Sequence, residues 1–185
     1  MNRIPAHATC VFKGVLFDVY QWEQELFDGS VATFEAVRRQ DTVVVFALQG
    51  DKVLYARQEQ PGKPPFLSLF GGRAEEGETP LVAAQRELLE ETGLVSENWR
   101  QIRQHHFGGK IDWNVYYFVA QDCRLATAPM LDGGEKIEIH SAHIDDFIET
   151  IAVASDFSER ELRHELLSAF NPYAAESLKA ELLQK

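Results

Sequence analysis

A chain of 185 residues, with 45% hydrophobic and 25% charged residues, can bury one good core. Its net charge of −11 argues against a nucleic-acid binder or an anionic-membrane binder, since both demand clustered Lys and Arg, so an anionic substrate would have to be received locally, through metal. No secretory signal or membrane span is legible, and Cys10 and Cys123 stand far apart in sequence, which together read as reduced thiols of a cytoplasmic protein.

From about Thr9 to Arg38 the chain reads as extended, with Val15, Phe17 and Val19 alternating against Leu16, Asp18 and Tyr20, and Asp28-Gly29 offering a turn. We take residues 1–40 as an N-terminal β section and 41–185 as the main domain. Phe12, Tyr20 and Trp22 are spaced either as core or as stacking platforms for a nucleobase. Thr42 to Leu48 and Val53 to Glu59 flank Gln49-Gly50-Asp51-Lys52 and predict a hairpin rich in β-branched and aromatic residues. Arg57 lies near the end of its second strand, placed either to meet a phosphate or to sit on the surface. Pro61-Gly62-Lys63-Pro64-Pro65 must be a loop. A short strand, Phe66 to Phe70, then leads into Gly71-Gly72.

The next stretch is predicted as a helix with legible limits: Thr79 as N-cap, Pro80 at the first position, and Gly93 as the left-handed terminator. Leu81, Ala84 and Leu88 form the stripe expected to dock on a sheet, with Ala83 keeping the carboxylate side uncrowded. Glu87, Glu90 and Glu91 share one side, because residues three and four apart stack on a helix. Each like-charge pair costs an isolated helix about 0.2–0.5 kcal/mol, so the cluster makes sense only if a cation or a specific partner offsets the repulsion. Hard carboxylate oxygens favour Mg²⁺ or Mn²⁺ over zinc. Arg86 can reach Glu90 at i, i+4.

Beyond the helix, His105-His106 lacks partners at metal-ligand spacing and reads as a polar loop. Trp113 to Ala120 and Ile137 to Ile139 read as strands, and helices are predicted around Asp145 to Ile151, Glu159 to Phe170 and Ala174 to Leu183. Strands surrounding one internal helix, with helices at the end, give an α+β class.

The run from Gly72 to Leu94 resembles the signature of the Nudix hydrolases: Gly, five residues, Glu, seven residues, Arg-Glu, an aliphatic, one residue, Glu-Glu, one residue, Gly, aliphatic. Gly72, Glu78, Arg86, Glu87, Leu88, Glu90, Glu91, Gly93 and Leu94 satisfy it. A match with so many fixed gaps is far more specific than a lone glycine motif. The resemblance implies a mixed β-sheet sandwiched between helices, an α/β/α arrangement with an N-terminal β section. More loosely, the order of elements is similar to the ADP-ribose and nucleoside-diphosphate-sugar pyrophosphatase subgroup, whose N-terminal section is packed or exchanged across a homodimer.

What the resemblance implies for chemistry is metal-dependent hydrolysis of a P–O–P linkage in a small-molecule nucleotide. It makes Glu87, Glu90 and Glu91 metal ligands, joined by the Gly71 carbonyl, with Arg86 orienting them and Glu78 either binding a further ion or fixing the loop. Glu135, in a loop where the subgroup carries a mobile acidic residue, is the candidate general base; Glu135 and Glu138 read equally as surface charges. Glu135, Arg86 and Glu91 are thus the candidate catalytic residues, and Arg57, Tyr20, Trp22 and Trp113 the candidate substrate contacts.

Two departures shift the expectation from ADP-ribose toward another nucleoside diphosphate sugar. Val95 to Ala120 lacks the proline of the subgroup's Ser-Pro-Gly-like loop, and the Gln-x-Arg at the strand end is altered to Gln58-Glu59-Gln60. The alternatives are hydrolysis of nucleoside triphosphates or dinucleoside polyphosphates, and a non-catalytic nucleotide sensor, against which the intact signature speaks.

Overall fold

The computed structural model describes residues 4–131, 133–169 and 171–184. The N-terminal section is β1 (Thr9–Lys13), β2 (Phe17–Glu25) and β3 (Val31–Arg39), paired antiparallel in that order. Asp28 sets the β2–β3 turn by accepting from the backbone N–H and the hydroxyl of Ser30, the local bonding that suits Asp to turns. The hairpin of β4 (Thr42–Gln49) and β5 (Lys52–Glu59) follows, then β6 (Phe66–Ser68) and α1 (Pro80–Thr92). Next come β7 (Leu94–Val95), β8 (Asn98–Phe107), β9 (Ile111–Gln121), β10 (Arg124–Leu125) and β11 (Lys136–His143). The chain closes with α2 (Ile144–Asp146), which runs on as a π turn over Phe147–Ile151, then α3 (Arg160–Leu167) and α4 (Ala174–Leu183).

Nine strands form one mixed sheet whose path is β1-β2-β3-β9-β4-β5-β11, with β6 on β5 and β8 on β9. β4 is central and buried on both faces, so its apolar run TVVVFALQ divides by alternation. Val43, Val45 and Ala47 pack with Ala83, Ala84 and Leu88 of α1 on one face. Val44, Phe46 and Leu48 pack with Phe147, Leu178 and Leu182 from the C-terminal helices on the other. Fully burying a side chain such as Phe46 or Leu88 stabilises by about 1.5–3 kcal/mol, so the two layers lock α1 to the sheet. The α+β expectation of a mixed sheet between helices is therefore met.

Three local expectations are corrected. His105 and His106 lie within β8, paired to Val115 and Asn114 of β9, because a long partner strand recruits a segment too polar to look like one. On α1, Ala83 is fully buried against the sheet while Leu81 is exposed, so the docking stripe is rotated from the one expected. The helix expected over Glu159 to Phe170 spans Arg160–Leu167, and Phe170 lies outside the described residues. No helix among the described residues is long and apolar enough to cross a membrane. Both cysteines are free thiols, Cys10 exposed and Cys123 buried.

Candidate active site

The caps fix where α1 starts and stops. Thr79 accepts from the Val82 N–H at 3.3 Å, Pro80 takes the first position, and Gly93 closes the helix at φ 71°. The carboxylates therefore fall in the last turns of α1, beside the Gly71-Gly72 loop that leaves β6. Gly71 has φ 140°, and a Cβ there would lie 2.1 Å from the Val43 carbonyl oxygen, so no other residue fits. Its N–H donates to Glu91 Oε2 at 2.8 Å. Gly72 comes so close to α1 that a Cβ would sit 2.4 Å from Glu87 Oε1.

Arg86 braces this arrangement. Its Nε and Nη2 donate to the two oxygens of Glu78 at 3.0 Å each, a bidentate pair, while Nη1 donates to Glu87 at 2.9 Å and Glu90 at 3.0 Å. Nη2 also donates to the Arg73 carbonyl at 2.9 Å. Glu78 accepts the Glu75 N–H at 2.8 Å, so its observed contacts tie the loop down. These bonds hold the Glu78 carboxyl below its ordinary range and keep the Arg86 guanidinium charged.

The carboxylates face a cleft of about 750 Å³. Glu87, Glu90, Glu91 and Glu135 all line it, so the sequence-predicted base meets the signature carboxylates in space. Burial, reinforced by Glu90 and Glu135, pushes the Glu87 carboxyl up despite Arg86. Burial pushes Glu91 further, to about 8, against the Gly71 N–H bond that favours its ionised form. A carboxyl so desolvated among like charges is poised to exchange its proton for a dication.

The donor set is hard oxygen, close-packed and partly desolvated, which fits a hard divalent cation. Among the described residues no three acidic, His or Cys side chains already converge on one ion position. Arg86 accounts for that, since it takes an oxygen of Glu87 and another of Glu90. Each of those carboxylates keeps its second oxygen for a ligand.

The sequence-predicted substrate contacts lie apart from this cleft. Arg57 is exposed on β5 between Glu138 and Leu67, its register partners in β11 and β6. Tyr20 carries the Arg38 guanidinium 4.8 Å from its ring centre, and Trp22 packs edge-on to Phe34 at 6.0 Å. The Trp113 ring stacks on Phe107 at 4.2 Å and bears the Arg39 guanidinium at 4.3 Å. Two groups so near one ring centre must take opposite faces, so Trp113 is a shelf for Arg39 and has no face left for a base. Arg39 and Arg73 both line the cleft, and sequence reading passed over them. Only the adjoining Arg38-Arg39 pair, at the end of an alternating stretch, hinted that one of the two would point inward.

The NUDIX domain model matches residues 38–166. Over 145 residues the chain is 28% identical to the "ADP-ribose pyrophosphatase" of Bacillus subtilis (strain 168), covering 76% of this chain and 78% of that protein. It is 26% identical to the "Methanol dehydrogenase activator" of Bacillus methanolicus over the same shares of the two chains. The crystal structure of an "ADP compounds hydrolase" has a similar fold, with a TM-score of 0.64 and 20% identity over 96% of this chain and 92% of that one.

Proposed function

The chain belongs to the NUDIX family and is one of its pyrophosphohydrolases, and from that premise we propose that it cleaves the diphosphate linkage of ADP-ribose or a related nucleoside diphosphate sugar. The observation that carries this reading is the convergence of Glu87, Glu90, Glu91 and Glu135 on one cleft, from a helix and a separate loop. The activity of the Bacillus subtilis relative weighs toward ADP-linked diphosphates, and the two sequence departures toward other sugars.

Glu87, Glu90 and Glu91, with the Gly71 carbonyl, would hold Mg²⁺ or Mn²⁺. When bound, such ions neutralise the non-bridging oxygens and lower the pKa of coordinated water. Arg86 holds Glu87 and Glu90 in register, and the Gly71 N–H fixes Glu91. Glu135 takes the proton of the attacking water, whose oxygen forms a bond to one phosphorus as the bond from that phosphorus to the bridging oxygen breaks. The products are a nucleoside monophosphate and a sugar phosphate. We further propose a cytoplasmic homodimer joined through the N-terminal β section, where Val11, Phe12, Val15, Phe17 and Phe27 stand exposed; light scattering giving a monomer mass would remove the dimer.

The deciding experiment incubates ADP-ribose, UDP-, GDP- and ADP-sugars, dinucleotides and triphosphates with Mg²⁺ or Mn²⁺ and resolves the products by chromatography. Nucleoside monophosphate plus sugar phosphate is expected. Release of pyrophosphate or a nucleotide polyphosphate would replace this reading with a triphosphate or dinucleotide hydrolase, and nucleotide binding with no turnover would make the protein a sensor.

A further inference from the structure

Arg38 and Arg39 are neighbours at the end of β3, and alternation sends them to opposite sides. Arg38 is spoken for: its Nε donates to Asp112 at 3.0 Å and its guanidinium lies over Tyr20. Arg39, which lies over Trp113 and more distantly over Phe17, has no carboxylate partner among the described residues. Its Nε is buried without a hydrogen bond, and among the described residues it forms no ion pair. What it has instead is a rigid shelf. Trp113 lies beneath it, backed by Phe107 and pinned by an indole N–H donated to the Thr42 hydroxyl at 3.1 Å.

A like charge, that of Arg73, bears on Arg39. Arg73 lines the same cleft and, among the described residues, its side chain donates only to the Val15 carbonyl, at 3.3 Å. Burial and Arg73 together hold the Arg39 guanidinium below its ordinary pKa. In a chain of net charge −11, two adjacent unpaired arginines are an electrostatic cost unless an anion arrives between them. Neither forms an ion pair with Glu87, Glu90 or Glu91, so the cleft has an acidic wall and a basic wall that leave each other alone. A single ligand satisfies both when it carries at least two anionic groups, one met through dications and one met directly.

Resting on the diphosphate reading above, we propose that Arg39 grips the second phosphate of the substrate, the one not held at the carboxylate wall, with Trp113 presenting its guanidinium and Arg73 adding charge. The guanidinium fork suits phosphate oxygens, and stacking on Trp113 removes most of the rotamer freedom it would otherwise lose on binding. Gln60 lines the same cleft, at the position where the resemblance expected a cation. The charge missing there is supplied by a different strand. In this enzyme Arg39 therefore reads phosphate number, separating a diphosphate from a monophosphate.

The test is calorimetry on the wild-type protein, Arg39→Gln and Arg39→Lys, titrated in Mg²⁺ with α,β-methylene ADP, whose bridging carbon resists hydrolysis, and with AMP. Arg39→Gln is expected to weaken the diphosphate analogue by about 10–100-fold and AMP far less, with Lys between, since it keeps the charge without the fork. Mn²⁺ affinity by electron paramagnetic resonance should not change, and the thermal midpoint should hold or rise, because an unpaired desolvated cation has been removed. A structural arginine would instead lower the midpoint and affect both ligands alike. A wild type that binds the analogue no better than AMP overturns the diphosphate reading and this inference with it. A wild type that discriminates, matched by an Arg39→Gln variant that discriminates equally, overturns the inference alone.

Discussion

Glu87, Glu90 and Glu91 reach the cleft from one short stretch of α1, and each is already bonded: two to Arg86 and one to the Gly71 N–H. Arg39 and Arg73 reach it from a strand end and a loop, supported by stacking and one carbonyl rather than by counter-charge. The acidic wall is braced by its own neighbours before any ligand binds. The basic wall has a rigid shelf and an open electrostatic demand. One wall is prepared for geometry and the other for charge, which is what a reaction on a polyanion through dications requires.

Disabling the acidic wall should have the largest effect. Glu91→Gln keeps an acceptor for the Gly71 N–H but removes a metal-binding charge, so kcat should fall on the order of 10²–10³-fold in a steady-state assay. Because the lost carboxyl is buried and destabilised, the metal-free variant should melt no lower than wild type. Arg86→Gln attacks the brace itself. Losing a half-buried cation that serves Glu78, Glu87 and Glu90 should cost about 1–3 kcal/mol in urea unfolding, with weaker Mn²⁺ binding.

The same contrast has a pH signature. Burial pushes the Glu91 carboxyl from an ordinary 4.5 up to about 8, and that of Glu159, at the start of α3, up to about 7. Between those limits the folded state holds protons that the unfolded chain has released, so stability falls as pH rises. The melting temperature in EDTA should therefore drop from pH 5 to pH 8.5, and saturating Mg²⁺ should flatten that slope as metal displaces the Glu91 proton. A flat profile in EDTA would mean that Glu91 is ionised without a cation. Smaller effects should come from the shelf: Trp113→Leu should raise KM by about 2–10-fold with kcat nearly unchanged. Arg57→Ala, outside the cleft, should leave kcat/KM as it is.

How far the two walls could be read in the sequence follows from how they are made. Thr79, Pro80, Gly93 and the helix period act within a few residues, so α1 and its carboxylates were legible in advance. The β4–β5 hairpin was legible for the same reason. Arg39 was not, because its shelf, Trp113, belongs to β9, and nothing local says which of two adjacent arginines faces in. β8 was hidden too. Its sequence NWRQIRQHHF is polar, a bulge between Gln101 and Arg103 breaks its alternation, and Arg103 answers to Glu165 and Glu181 on the C-terminal helices at 2.5 and 2.7 Å. Glu135 was found only through resemblance, since its meeting with Glu87 and Glu91 depends on where β11 pairs with β5.

Anomalous diffraction from crystals grown with Mn²⁺ and α,β-methylene ADP tests the acidic wall most directly. Manganese peaks are expected within bonding distance of Glu87, Glu90 and Glu91 oxygens, with a phosphate oxygen completing the coordination. Manganese located elsewhere, with the analogue absent from the cleft, would contradict the assignment of this helix as the catalytic centre.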